Sequence, residues 1–325
     1  MRQADKKSNL IIITRRETQD WRDFASIAQE VVKIAPDIAV HLVSPNDTAA
    51  VIDDQKWQRP GITVCVGNPG GFVPRRGPLF HNWPVKKLDQ YSRLKNAGIP
   101  TPYTERFEFG RDYSEADFGE FVILKPLPLQ LTSRGSSATL YRTRRLRELK
   151  LSDFPETHFL HDAPGLVQAF VDTGPYVSKW RVLTMFGDAL YSSTSVSPLP
   201  RAALDASDAE IEASVVEPRT AGNIAADPEG LRDRLAKDDE ILAFARRMHS
   251  VFPTLPALGC DILRRASDGQ LFALEINGGG NCWHFSSYAA KHRERLGGRE
   301  GMVAQFGAWT VAANSLIRMV RQYAA

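Results

Sequence analysis

The chain has 325 residues, 43% hydrophobic and 24% charged, with a net charge of +3. It is longer than one hydrophobic core usually serves, so two or three domains are expected in an otherwise ordinary globular composition. So small a charge argues against a nucleic-acid or membrane-surface protein. The three cysteines, Cys65, Cys260 and Cys282, are too scattered and odd in number for a disulfide framework or a CxxC zinc site.

The first seven residues are polar and charged, and the apolar run 10–13 is too short for a signal segment or a membrane span. No later stretch is long enough either, so a reducing, cytoplasmic setting without membrane contact is expected. Residues 10–14 open with four aliphatics, three of them β-branched, which predicts a strand covered on both faces. Helical spacing over 21–34 puts Phe24, Ile27, Ala28 and Val31 on one face. Strands follow at 38–43 and 62–66, so roughly the first eighty residues read as a small parallel α/β unit. The turn cluster at 67–71 closes it, with no helical pattern behind it to make a phosphate-binding GxGxxG.

A helix over 85–97 stops at Gly98, Ile99, Pro100, Thr101 and Pro102, a terminal glycine followed by prolines. A strand at 121–125 ends at Pro126, a polar loop of small residues spans 131–138, and 139–142 is a return strand. Strands at 165–171 and 180–185 flank a Gly174–Pro175 turn. The run 197–227, rich in Ala, Asp, Pro and Glu, is expected to be an exposed excursion. An amphipathic helix over 238–251 precedes strands at 260–263 and 270–276, joined by an Asp268–Gly269 turn that marks a hairpin. A helix over 302–320 ends the pattern.

The hairpin carries the chemistry. Glu275 and Asn277 are two apart and share one face of an extended strand, and the turn brings Asp261 back beside them. Two carboxylates and an amide oxygen suit a hard cation such as magnesium, which keeps positions for substrate phosphates. Taken alone, the same residues also read as an exposed acid and a strand-end asparagine before a glycine turn.

Asp261, the Asp268–Gly269 turn and the run Leu274, Glu275, Ile276, Asn277 resemble the metal-binding hairpin of the ATP-grasp superfamily. Three further segments resemble that family in the right order. Lys87 opens a helix ending in Gly98, Ile99, Pro100, Thr101, Pro102. Lys125 ends a strand before a small-residue loop. Gln168, Ala169, Phe170 and Val171 precede Gly174 like the strand whose backbone recognises adenine. The likeness covers roughly residues 85–285, and the N-terminal unit matches in architecture alone.

The resemblance implies an N-terminal parallel α/β domain (1–84) before two α+β subdomains, 85–165 and 166–325, with ATP held between the two. It implies Asp261, Glu275 and Asn277 as ligands of magnesium, with manganese a substitute. Lys87 and Lys125 would lie against the α- and β-phosphates, neutralising charge that repels an incoming carboxylate. Arg134, Gly135, Ser136 and Ser137 would cover the phosphates, with less glycine than is usual for the family. Arg181 stands where relatives carry a basic residue reaching the phosphates or the acyl intermediate, and Lys125 and Arg181 are the catalytic candidates. Asp172 and Lys179 are further candidates for ribose or phosphates.

The activity so implied is carboxylate–amine ligation through an acyl phosphate, with a small-molecule carboxylate and amine or a peptide acceptor as substrates. A nucleotide-binding regulatory protein and an ATP-grasp kinase are the alternatives. No nucleic acid is expected, and a homodimer is one expected assembly. The segment 278–286 replaces the family's usual Pro-Gly with three glycines; Gly279, Asn281 and His284 are candidate substrate contacts, and Trp283 either joins them or packs inward. The dipeptide-ligase branch carries arginine two residues before its metal aspartate; Gly259 stands there instead, which argues against that branch. His158 and His161 lack a third ligand, and the basic run 142–147 reads as a solvated helix face.

Overall fold

The computed structural model describes residues 7–15, 19–45, 55–127, 138–214, 233–287 and 290–323. The chain opens with β1 (Ser8–Ile13), α1 (Trp21–Ile34), β2 (Ile38–Val43), β3 (Gly61–Cys65) and β4 (Leu79–His81), a parallel sheet in the order β2-β1-β3-β4. Strand β1 is buried throughout because alternate residues meet different neighbours. Leu10 and Ile12 join the core with Phe24, Ile27 and Val31, while Ile11 and Ile13 pack with Trp57 and Phe72. The side chain of Asp20 caps α1 by accepting from the Arg22 amide.

Next come α2 (Lys87–Asn96), β5 (Thr104–Arg106), α3 (Glu115–Phe118), β6 (Phe121–Pro126), β7 (Thr139–Arg142) and β8 (Gly165–Ala169). The strands form an antiparallel sheet in the order β5-β8-β6-β7. Helix α2 is shorter than the 85–97 expected, because its end is set by a left-handed Gly98 (φ 69°). Gly98 N–H donates to Lys95 O and Ile99 N–H to Leu94 O, while the Ile99 and Leu94 side chains share one core.

The remainder comprises β9 (Ser178–Met185), β10 (Asp188–Val196), α4 (Asp208–Glu212), β11 (Arg234–Leu235), α5 (Asp239–Ser250), β12 (Ala257–Arg264), β13 (Leu271–Asn277), α6 (Ala290–Arg295), α7 (Gly298–Phe306) and α8 (Ala308–Tyr323). Its sheet runs β11-β10-β9-β12-β13. Val182, Cys260, Ile262 and Ile276 pack against Ile241, Phe244 and Met248 of α5. The other face is polar around Asp261 and Arg181 and apolar farther along, where Leu183, Met185 and Ala257 join the core that includes α8. Helix α8 lies on α1, so the chain's last helix shares the core of its first unit.

Several expectations need correction. Strand β10 was not predicted; it returns from β9 through Phe186 and Gly187, both left-handed (φ 46° and 91°), as a two-residue hairpin requires. Strand β8 stops at Ala169, so Phe170 and Val171 lie beyond it. The single helix expected at the C-terminus is broken at Gly307 (φ 67°). Part of the expected excursion is packed: Ser207 and Glu210 form a capping box for α4, which buries Ile211 beside Leu140. Residues 215–227 of that run lie outside the described residues.

Candidate active site

Strands β12 and β13 form the expected hairpin. Gly269 turns it in a left-handed conformation (φ 76°), and Asp261 faces Glu275 directly across the ladder, with Gly259 facing Asn277. Directly opposed residues share a face. On the other side of β12, Asp261 faces Arg181 of β9. Arg181, Asp261 and Glu275 therefore form a row across three strands, with Asn277 and Lys179 beside it.

Asp261 is 1% exposed, and Arg181 grips it with two bonds, Nε to Oδ1 at 2.6 Å and Nη2 to Oδ2 at 2.5 Å. Lys179 Nζ stands 3.7 Å from Oδ2. Burial on its own would raise the Asp261 pKa, but Arg181 and then Lys179 bring it down to about 2, so the carboxylate stays ionised. An ionised carboxylate has roughly four lone-pair directions, of which Arg181 uses two. Glu275 and Asn277 are only partly buried, and Asn277 Nδ2 lies 3.5 Å from Glu275 Oε1. The oxygen donors fit a hard cation. Among the described residues no three His, Cys, Asp or Glu side chains converge for a metal, so such an ion depends on the Asn277 amide oxygen or on ligands brought by substrate.

The tail after Asn277 folds back onto this row. His284 Nε2 lies 3.2 Å from Arg181 Nη1, and its Nδ1 lies 2.7 Å from the Tyr191 hydroxyl. A guanidinium only donates, so Nε2 accepts, and the partners assign the ring proton to Nδ1. Burial and then the Arg181 charge hold the His284 pKa well below its ordinary value, keeping the ring neutral.

Trp283 packs inward and is fully buried. It stacks on Phe24 with centroids 5.1 Å apart and donates from Nε1 to Asp23 Oδ2 at 2.9 Å. Asp23 also accepts from Ser286 Oγ and from Arg299, each at 2.6 Å. Gly278 is required by packing, since a Cβ there would stand 2.7 Å from the Trp83 carbonyl. Gly279 faces open space and Asn281 is exposed, so both are accessible. At Gly259 a Cβ would meet the Cβ atoms of Asn277 and Cys282 at 3.3 and 3.4 Å, a tight fit for any larger side chain. Burial pushes the Cys282 thiol up to about 12, so it is no nucleophile.

A second group gathers at the end of β6. Lys87 Nζ donates to the Pro126 carbonyl at 2.9 Å, and Lys125 Nζ donates to Gln168 Oε1 at 2.9 Å. Gln168 is held in turn, its Nε2 donating to Thr104 Oγ1 at 2.9 Å. The Ala169 and Phe170 amides donate to Tyr103 and Phe121 carbonyls, while no hydrogen bond to the Val171 main chain is found among the described residues. Arg134, Gly135, Ser136 and Ser137 lie outside the described residues. The two groups are linked through α2: Tyr91 Oη donates to Leu274 O, and Gln90 Oε1 accepts from the Ile276 amide, so the helix opened by Lys87 grips β13 on both sides of Glu275.

Asp172 is occupied by a bidentate pair with Arg201, both bonds 3.0 Å, and by the Gly174 amide. Sequence reasoning missed Tyr191 and Ser193, which reach the site from β10. Their only signal is the polar run from Tyr191 to Ser195.

No protein-family model matches this sequence, and no curated protein matches it. Solved structures do. The chain aligns over 98% of its length with 99% of the ATP-grasp ligase PsnB, complexed with minimal precursor, Mg and ADP, at TM-score 0.52 and 12% identity. The same ligase with minimal precursor aligns over 97% of this chain and 100% of its own, at TM-score 0.51 and 13% identity. D-alanine–D-alanine ligase from Bacillus anthracis aligns over 98% of both chains at TM-score 0.48 and 11% identity. At this identity the likeness shows the fold alone: the chain is built as these ATP-grasp ligase structures are.

Proposed function

We propose that the chain is an ATP- and magnesium-dependent ligase that joins a carboxylate to an amine, forming an amide or peptide-like bond and releasing ADP. The observation that carries this reading is the row Arg181, Asp261, Glu275, with Asn277 beside it, on one face of the large sheet and tied by α2 to the lysine group. On this reading 1–84 is an N-terminal domain, and 85–165 and 166–325 are the subdomains that enclose the nucleotide.

Glu275, Asn277 and the free lone pairs of Asp261 would hold magnesium, which supplies charge neutralisation on the β- and γ-phosphates. Lys87 and Lys125 would bring ammonium groups to the α- and β-phosphates, with Gln168 fixing the direction of Lys125. The Val171 main chain, which takes part in no hydrogen bond found among the described residues, would meet an adenine edge, and Arg134, Gly135, Ser136 and Ser137 would cover the phosphates. Arg181, fixed by Asp261 and His284, aims a guanidinium at the charge that develops as a carboxylate attacks the γ-phosphate. Positioning and electrostatics do the chemistry, and no covalent enzyme intermediate is needed. PsnB has been solved with a precursor peptide bound, so peptides stand beside small molecules as substrates to be tried here.

The grip of Arg181 on both Asp261 oxygens favours a second reading, a nucleotide-binding protein without turnover. ADP release across a panel of carboxylates and amines decides between them. Substrate-stimulated release that falls at least about 100-fold in Glu275→Gln and in Lys125→Ala is expected for the ligase; nucleotide binding without stimulated release leaves the regulatory reading.

A further inference from the structure

A second polar pair lies beside the charged row, outside the residues the resemblance implies. His292 on α6 has Nδ1 3.0 Å from Asp233 Oδ2, and Arg295 Nη1 stands 3.5 Å from the same oxygen. The Asp233 side chain is fully buried. Burial alone would raise its pKa, but hydrogen bonds from His292 and Ser195, with the charge of Arg295, bring it below the ordinary carboxylate value. An ionised carboxylate only accepts, so His292 Nδ1 carries a proton, and in the neutral ring Nε2 carries a bare lone pair.

That Nε2 is buried and has no hydrogen-bond partner among the described residues, and the same is true of Asp233 Oδ1. The hydroxyl of Ser193, which faces Arg181 across the ladder, is likewise buried and unpaired there. Buried acceptors left unmatched are rare and costly, and two on one dyad call for a ligand that brings donors. Their position says which ligand. The His284 and His292 rings meet edge-on with centroids 5.2 Å apart, and His284 is the residue that touches Arg181. The dyad is thus one ring away from the guanidinium on Asp261.

Resting on the ligase reading, we propose that Asp233 and His292 form a general-base dyad that receives the acceptor amine as an ammonium ion. His292 Nε2 takes one proton from the ammonium, and Asp233 steadies the imidazolium through Nδ1. The freed nitrogen lone pair forms the C–N bond to the acyl-phosphate carbon. The C–O bond to phosphate breaks with its electron pair, and a second nitrogen proton leaves with the phosphate as hydrogen phosphate. The products are amide, hydrogen phosphate and protonated His292, so protons and charge balance. His292 is the catalytic residue and Asp233 a positioning one. The charged and titratable groups around the ring are Asp233 ahead of β11, Arg295 on α6 and His284 of the tail, with Arg181 behind His284. His284 is no rival base, because Arg181 already occupies its Nε2.

Hydroxylamine separates this step from the first one, since its nitrogen needs no general base at neutral pH. The full-length chain is given MgATP and each of the twenty amino acids as carboxylate, first with hydroxylamine and then with ammonium or a second amino acid as acceptor. His292→Gln is expected to form hydroxamate at the wild-type rate. It should lose about 100-fold or more in amide formation at pH 7 and recover about tenfold per pH unit as solvent deprotonates the amine. Absence of hydroxamate from the wild-type chain overturns the ligase reading and this proposal with it. Wild-type hydroxamate with an unchanged amide rate in His292→Gln overturns the dyad alone, and so does parallel loss of both products. Nitrogen-15 NMR of histidine-labelled protein gives a readout without turnover: a ring proton on His292 Nδ1 supports the dyad, and one on Nε2 overturns it.

Discussion

The two faces of the five-stranded sheet come from the same strands and differ in almost everything else. Along β9, Trp180 and Val182 point to α5 while Lys179 and Arg181 point to the site; along β12, Cys260 and Ile262 alternate with Asp261 in the same way. One face is held by close packing, where a change in volume is what matters. The other, around Asp261, is held by a few directed bonds between charges, where removing one partner strands the other; only farther along, at Leu183 and Met185, does it return to apolar packing. Strand periodicity lets one segment serve as wall and as reagent at once.

The largest effect is expected on the polar face. Arg181→Ala leaves Asp261 ionised and buried without its main partner, and should cost about 3–5 kcal/mol in urea unfolding, together with loss of ADP formation. On the apolar face Phe244→Ala should cost about 3–5 kcal/mol as well, by cavity formation. Residual ADP formation per folded molecule should stay at the wild-type value, and a loss there would erase the contrast between the faces.

The smallest and most diagnostic effect comes from His249, a polar residue on the apolar side. Its Nε2 donates to the Leu255 carbonyl at 2.9 Å, and Thr184 Oγ1 lies 2.7 Å from Nδ1. Burial lowers its pKa to about 4, below the ordinary value, so the unfolded chain binds this proton first. Stability from the neutral ring is present above about pH 6.5 and is lost as pH falls towards about 4, by up to about 3 kcal/mol. Denaturant midpoints measured between pH 7 and 4, with His249→Gln as the comparison, should isolate that loss.

Much of the site was legible before the fold was seen, for physical reasons that also mark where legibility ended. A two-residue spacing and an Asp-Gly turn place Asp261, Glu275 and Asn277 on one face whatever else the chain does. Strand β10 was not legible, because the consecutive polar residues Ser192, Ser193, Thr194 and Ser195 are themselves buried and show no apolar pattern of a core strand. Nor could spacing reveal that Trp283 anchors on Asp23, 260 positions earlier. The Asp233–His292 contact, 59 positions apart, is likewise a product of tertiary packing. Nor could spacing reveal that Gly278 admits the Trp83 carbonyl.

The Asp23 cluster has a mechanical meaning. It latches the tail that carries His284 to helix α1, and Asn82 adds bonds to the Ala257 and Gly278 carbonyls from the same N-terminal unit. The first unit and the large sheet are thereby bonded to each other on both sides of the acid row. On the proposed ligase reading, any opening of a nucleotide cleft would fall to the smaller β5-β8-β6-β7 sheet, with that sheet the moving jaw and the acid row the fixed one.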